Sequence, residues 1–336
     1  MADILFDEDP DLSAVDGRTV AVIGYGNQGR SQAFNMRDSG LTVIIGGIED
    51  ESLLRARDDG FETTSISEAV DAADIIFLLL PDEIQREVYA KDLEAPLRSG
   101  HTLNFAHGYN VRFGYIHAPD DIDVIMVAPR MIGVGVRELF VSGSGSPAFV
   151  AVEQDATGRA WPTAIALAGA IGCTRGGVLR TTFAEETELD LFSEQAIWPS
   201  ILKLLTLSYE VLTERGYQPE AVVMEAYASR EPARVFDKMA ELGIFRQTRL
   251  HSRTSQFGTL TRMETVLPKA FRLKLEQTID AIRSGDFSAE WETERGAGYP
   301  EFNRLHTEAR RHPINDVEDR LRPAAPPVPL SDEAQS

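Results

Sequence analysis

The chain has 336 residues, 43% of them apolar, 26% charged and 8% aromatic, which fits a soluble globular protein of about two domains and excludes a peptide-sized binding module. Its 53 acidic residues against 33 basic ones give a net charge of −20, a field that repels phosphate backbones and anionic lipid, so neither a nucleic acid nor a membrane is expected as partner. The lone cysteine, Cys173, excludes an intramolecular disulfide and a multi-thiolate metal centre; with no apolar run of membrane-spanning length and no leader pattern in 1–17, the expected location is the cytoplasm.

In chain order, Val20–Ile23, Leu41–Ile45, Ile75–Leu80, Thr102–Ala106, Val124–Ala128 and Phe149–Val152 read as strands. The third is nearly continuous in apolar residues, as a strand covered on both faces should be. Gln28–Ser39 and Glu51–Asp59 read as crossover helices, and Cys173 closes an apolar stretch, Ala164–Cys173, that suits a core. The alternation is that of an α/β fold, a Rossmann-type doubly wound sheet. Past about residue 183 the β signal fades, and helical patterns such as Ile197–Arg215 and Pro268–Ser284 follow. The expected division is a dinucleotide-binding domain over 1–182, an all-α domain over 183–322 and a disordered tail over 323–336, which opens Pro-Ala-Ala-Pro-Pro.

Gly24-Tyr25-Gly26-Asn27-Gln28-Gly29 follows the first of these strands and opens the first helix. Its glycines permit the turn, the approach of a pyrophosphate and close helix–strand contact, and the helix N-terminus offers N–H groups to phosphate. At the end of the second strand Glu49 and Asp50 stand where an acid binds the adenosine ribose and repels a 2′-phosphate, and no Arg or Lys precedes Arg55 there. NAD(H) is therefore expected in preference to NADP(H). His107 follows the strand Thr102–Ala106, at the carboxyl end where open α/β sheets place ligands. Asp190 and Glu194, four apart in a helical pattern, project from one face. They form either an acidic helix surface or a site for a hard cation such as Mg²⁺.

Several segments resemble the short-form ketol-acid reductoisomerase family: Ile23–Gly29, Leu79–Glu83, Phe105–Asn110, Asp123–Pro129, Thr181–Gln195, Pro300–Asn303 and His312–Ile314. The resemblance implies an enzyme that isomerises a 2-acetohydroxy acid and reduces the product. It also implies a Rossmann domain followed by a knotted helical domain, and a homodimer whose subunits share each active site. Pro81 and Asp82 would join the cofactor contacts, His107 the catalytic set, Asp190 and Glu194 the metal ligands, and Ser252 the substrate contacts.

Two departures from the family pattern stand out. The family's second acidic pair, glutamates four apart, aligns Glu225 with the first position but Ser229 with the second; aligned from the other side, Glu231 takes the second and Tyr227 the first. Two residues look inserted, and Pro232 should disturb the helix. Where the family has Ala-Pro-Lys-Gly-Pro-Gly-His, this chain reads Ala128-Pro129-Arg130-Met131-Ile132-Gly133-Val134. Arginine orients an oxyanion or carboxylate but, unlike lysine, is a poor acid–base group. The expectation is an NAD(P)-dependent oxidoreductase of this family turned to a different carbonyl or imine among small molecules, with the alkyl migration lost. The alternatives are an authentic reductoisomerase and a catalytically silent dinucleotide-binding protein.

Overall fold

A computed structural model describes residues 4–322, and the chain parts into two compact units between Leu189 and Asp190. Among the described residues the first unit carries a nine-stranded sheet. Its strands are β1 (Ile4–Leu5), β2 (Thr19–Ile23), β3 (Thr42–Gly46), β4 (Glu62–Thr64), β5 (Ile75–Leu78), β6 (Thr102–Phe105), β7 (Asp123–Pro129), β8 (Ala148–Gln154) and β9 (Val178–Arg180). Their order is β1-β9-β8-β7-β6-β5-β2-β3-β4. From β4 to β7 all neighbours are parallel, with Val20 opposite Val43 and Ile75, and Leu103 opposite Val124. β8 runs antiparallel to β7, and β1 antiparallel to β9.

Side chains on successive residues point to opposite faces, so each central strand feeds two cores. Val20, Val22, Ile75, Phe77, Ile125 and Val127 fill one. Ala21, Ile23, Ile76, Leu78, Val124 and Met126 fill the other. Helices α1 (Asn27–Asp38), α2 (Glu51–Asp58), α3 (Ile66–Ala72), α4 (Asp82–Val88), α5 (Tyr109–Arg112), α6 (Gly133–Val141), α7 (Ala160–Ile171), α8 (Cys173–Gly176) and α9 (Phe183–Phe192) follow or separate the strands. Cys173 is fully buried, as its apolar neighbourhood suggested. Ser65 and Glu68 close a reciprocal capping box that starts α3.

The six expected strands are all present with ends moved by a residue or two; Leu79 and Leu80 fall outside the ladder. The strands missed are short, and Glu62-Thr63-Thr64 has no apolar residue to mark it. The division between the two compact units lies inside α9. The second unit is helical throughout its described residues: α10 (Trp198–Glu214), α11 (Pro219–Val223), α12 (Glu231–Leu242), α13 (Arg253–Val266), α14 (Phe271–Ser284), α15 (Asp286–Gly296), α16 (Pro300–Arg310) and α17 (Ile314–Leu321). A small core of Tyr209, Val222, Val223, Ile314 and Val317 joins α10, α11 and α17. The expected tail, 323–336, lies outside the described residues. No helix among the described residues is long and apolar enough to cross a membrane.

Candidate active site

The glycine turn between β2 and α1 divides its work as the motif requires. Gly24 has φ +96°, and a Cβ there would come within 2.8 Å of the Leu79 carbonyl oxygen. A Cβ on Gly29 would fall 2.0 Å from the Gly24 oxygen, so α1 can approach the turn only with glycine. A Cβ on Gly26 would meet nothing within 4 Å, which leaves that face open to a pyrophosphate at the N-terminus of α1.

Three of the expected cofactor contacts have side chains engaged elsewhere. Tyr25 is 2% exposed and donates its hydroxyl to Asp59 at 2.9 Å, so its ring belongs to the core. Burial, and then the Asp59 carboxylate, push its phenol pKa up. Asn27 accepts through Oδ1 from the Val134 N–H at 3.0 Å, and Gln28 donates through Nε2 to the Met131 carbonyl at 2.8 Å. At the end of β3, Asp50 caps α2 by accepting from the N–H groups of Ser52 and Leu53 at 2.9 and 3.0 Å. Glu49 is paired with Arg57, whose Nη1 donates at 2.9 Å and holds this carboxyl below the usual carboxylate range.

At the carboxyl ends of the parallel strands lies a cavity of about 210 Å³, lined among others by Gln28, Pro81, Asp82, Ala106, His107 and Pro129. Within it Asp82, at the start of α4, faces His107: Nδ1 and Oδ2 are 2.7 Å apart. A carboxylate can only accept, so the Nδ1 proton lies on this contact and Nε2 is turned to the other side. There it lies 4.0 Å from Oε2 of Glu186. Asp82 is thus the residue that orients the imidazole.

Glu186 has no exposed surface and accepts from the Gly108 N–H and from Arg130 Nη1, each at 2.9 Å. A Cβ on Gly108 would lie 2.6 Å from Thr187 Oγ1, so this glycine lets α9 bring Glu186 in. Arg130, one residue past β7, also lies over the Phe149 ring at 5.1 Å. Glu186 was missed from sequence, although it stands four residues before Asp190 and extends the same acidic spacing.

Asp190 follows Glu186 by one turn of α9, but Glu194 sits in a π-helical turn, Ser193–Ile197. Glu194 thus lies within a wider turn just past α9, a feature frequent at functional sites. Glu225 is exposed and lies in a second π turn, Met224–Ala228. Beyond it Arg230 takes φ +63° and α12 begins at Glu231 with Pro232 in its first turn, so the chain breaks where Pro232 suggested. Glu225 and Glu231 stand on separate helical segments, and the Glu231 N–H donates to Ser229 Oγ at 3.4 Å. Ser252, expected to meet substrate, is exposed and caps α13 by accepting from the Ser255 N–H at 3.2 Å.

A Rossmann-type sheet with this glycine turn, and an imidazole and a guanidinium set against carboxylates at its ligand end, defines an NAD(P)-dependent oxidoreductase. Residues 14–177 match the family "Acetohydroxy acid isomeroreductase, NADPH-binding domain" and residues 183–326 the "Ketol-acid reductoisomerase, C-terminal domain". The chain belongs to the ketol-acid reductoisomerase family. It is 42% identical over 325 residues to the ketol-acid reductoisomerase (NADP(+)) of Leifsonia xyli subsp. xyli, covering 96% of this chain and 94% of that one. It is 43% identical over 324 residues to the enzyme of the same name from Methanopyrus kandleri, with 96% and 98% covered. The structure of an NADH-preferring ketol-acid reductoisomerase from an uncultured archean matches with TM-score 0.91 at 34% identity, over 95% of this chain and 98% of that one.

Proposed function

We propose that this protein is a working ketol-acid reductoisomerase, which converts a 2-acetohydroxy acid and NADH to the 2,3-dihydroxy acid. The observation that carries this reading is the ion pair of Arg130 with buried Glu186, which fixes a cation beside His107 at the ligand end of the sheet. Similarity to named reductoisomerases over 96% of the chain favours the family's own reaction over a reductase turned to another carbonyl or imine.

Arg130 keeps its proton throughout, so its role is to donate hydrogen bonds to the substrate carboxylate or to a developing alkoxide. His107, held through Nδ1 by Asp82, presents Nε2 as a candidate to pass a proton to or from substrate. Gly26 leaves room for the dinucleotide phosphates. Asp190 and Glu194 offer hard oxygen donors of the kind Mg²⁺ takes, with Glu225 and Glu231 as further candidates on their separate segments. The ion, when bound, would polarise substrate oxygens.

NADH is the proposed reductant because Glu49 follows β3, where an acid in a Rossmann fold would meet the adenosine ribose; relatives named for NADP(+) and a neighbour named for NADH bracket this choice. Trp198, Leu202 and Phe257, 54%, 63% and 70% exposed in the second unit, support a homodimer in which these side chains are covered.

The second reading, a reductase for another substrate, is favoured by the exposed Met131 and Ile132 beside Arg130. The test is NADH oxidation with 2-acetolactate and Mg²⁺, with the product identified by mass. Formation of the dihydroxy acid supports the reductoisomerase. NADH binding without turnover would transfer the protein to the second reading, and absence of both would leave a silent member of the family.

A further inference from the structure

The N-terminal turn of α1 is gripped through its side chains by the segment that follows Arg130. Its first backbone N–H groups, at Asn27 and Gln28, are those a helix leaves free for phosphate. The side chains of the same two residues reach the segment after Arg130: Gln28 Nε2 to the Met131 carbonyl at 2.8 Å, and Asn27 Oδ1 from the Val134 N–H at 3.0 Å. Gly133 lies so close that a Cβ would fall 2.1 Å from the Asn27 carbonyl oxygen. Gln28 is itself oriented by Gln32, whose Nε2 donates to Gln28 Oε1 at 3.0 Å. Further along, Arg137 of α6 donates to Asn35 at 2.8 Å and to Asp38 at 2.6 Å, so α6 is pinned to α1 at both ends. Arg130 is tied to its strand partner by its own N–H, which donates to the Pro147 carbonyl at 2.8 Å, leaving the Met131–Val134 segment as its link to α1.

We infer that Gln28 is a positioning residue that couples the occupied glycine turn to the placement of Arg130, with Asn27 as the second strut. The inference rests on the oxidoreductase reading for the use of Arg130, but the coupling itself needs only the dinucleotide. A phosphate seated on the N–H groups of Asn27 and Gln28 fixes their side chains, and these fix the Met131 carbonyl and the Val134 amide. Linkage then requires that whatever binds at Arg130 tighten the dinucleotide by the factor that the dinucleotide tightens it.

The test is hydrogen exchange in the peptide covering 130–141, with and without NADH, on the full chain and on Gln28→Ala and Gln28→Glu. In the unsubstituted protein, saturating NADH slows exchange there by about fivefold or more. In Gln28→Ala, at an NADH concentration raised until that variant is saturated, the slowing is lost. Gln28→Glu, with an acceptor facing the Met131 carbonyl, behaves as the alanine variant does. Three results would overturn the inference: no response of the segment to NADH in the unsubstituted protein, an undiminished response in Gln28→Ala, or loss of NADH binding in Gln28→Ala, which would make Gln28 a plain cofactor contact. Turnover of 2-acetolactate, measured on the same preparations, reports separately on the proposed reaction, since the exchange response does not depend on which substrate Arg130 serves.

Discussion

The guanidinium of Arg130 donates to Glu186, a carboxylate with no exposed surface, across 2.9 Å. A charge taken so completely out of water is tolerable only while its partners stay, so each member of the pair depends on the other.

Removing one partner should therefore cost much more than removing both. Arg130→Ala takes the guanidinium away from a carboxylate with no exposed surface, and is expected to lower stability by about 3 kcal/mol, read from urea unfolding. Glu186→Gln in the Arg130→Ala background should restore at least about 1 kcal/mol. Strictly additive losses would mean that the pair is not coupled.

His101 gives stability a pH dependence unrelated to the active site. It is 2% exposed, and its Nδ1 accepts the Arg98 N–H at 3.3 Å. Burial, reinforced by the nearby Arg98 charge, pushes its pKa down to about 4. In the unfolded chain the ring titrates near pH 6.5, so between these values the unfolded state binds a proton that the folded state refuses. The contribution is complete above pH 6.5 and is lost as the pH falls towards 4. From pH 7 to pH 5 it amounts to about 2 kcal/mol. Urea midpoints of the protein and of His101→Gln at these two pH values should diverge in slope by that amount, whereas parallel slopes would refute the assignment.

Much of this framework is legible in sequence because burial on both faces forces near-continuous apolar strands, as in Ile75–Leu78, and because Gly24 and Gly29 have no substitute at their positions. What escaped is decided by partners far along the chain or by hydrogen-bond register. The wider turn at Ser193–Ile197, which takes in Glu194, has no residue signature. The side chains of Asn27 and Gln28 looked free for cofactor until Met131 and Val134 were placed beside them. The carboxylate of Glu186 was in plain view at the fourth residue before Asp190, but nothing local says that it is buried against Arg130.

The glycines of the turn separate folding from binding. A methyl group at Gly29 meets backbone at 2.0 Å, so Gly29→Ala should cost about 1–3 kcal/mol of stability, visible in the thermal midpoint. Gly26→Ala adds its methyl to open space at φ −80°, so the midpoint should hold while NADH binding weakens by about tenfold or more, as the same clash is met by the pyrophosphate instead. Unchanged NADH affinity in Gly26→Ala would place the phosphates elsewhere.

Cofactor choice should turn on Glu49 and Arg57 together. Glu49 is open to solvent at the end of β3, and Arg57 reaches back along α2 to hold it while donating through Nε to Thr63 Oγ1 at 2.8 Å. A bound ribose can share the carboxylate with Arg57, whereas a 2′-phosphate is repelled by it. Glu49→Gln removes the repulsion and frees the guanidinium for phosphate, so NADPH affinity should rise roughly fivefold to tenfold while that for NADH falls slightly. In Glu49→Gln/Arg57→Gln the gain for NADPH should vanish, because the guanidinium that received the phosphate has gone with the acid that opposed it. Titration of both dinucleotides against the three proteins decides the matter: if NADPH gains equally in the single and double variants, Arg57 is a structural partner of Glu49 and plays no part in selecting the cofactor.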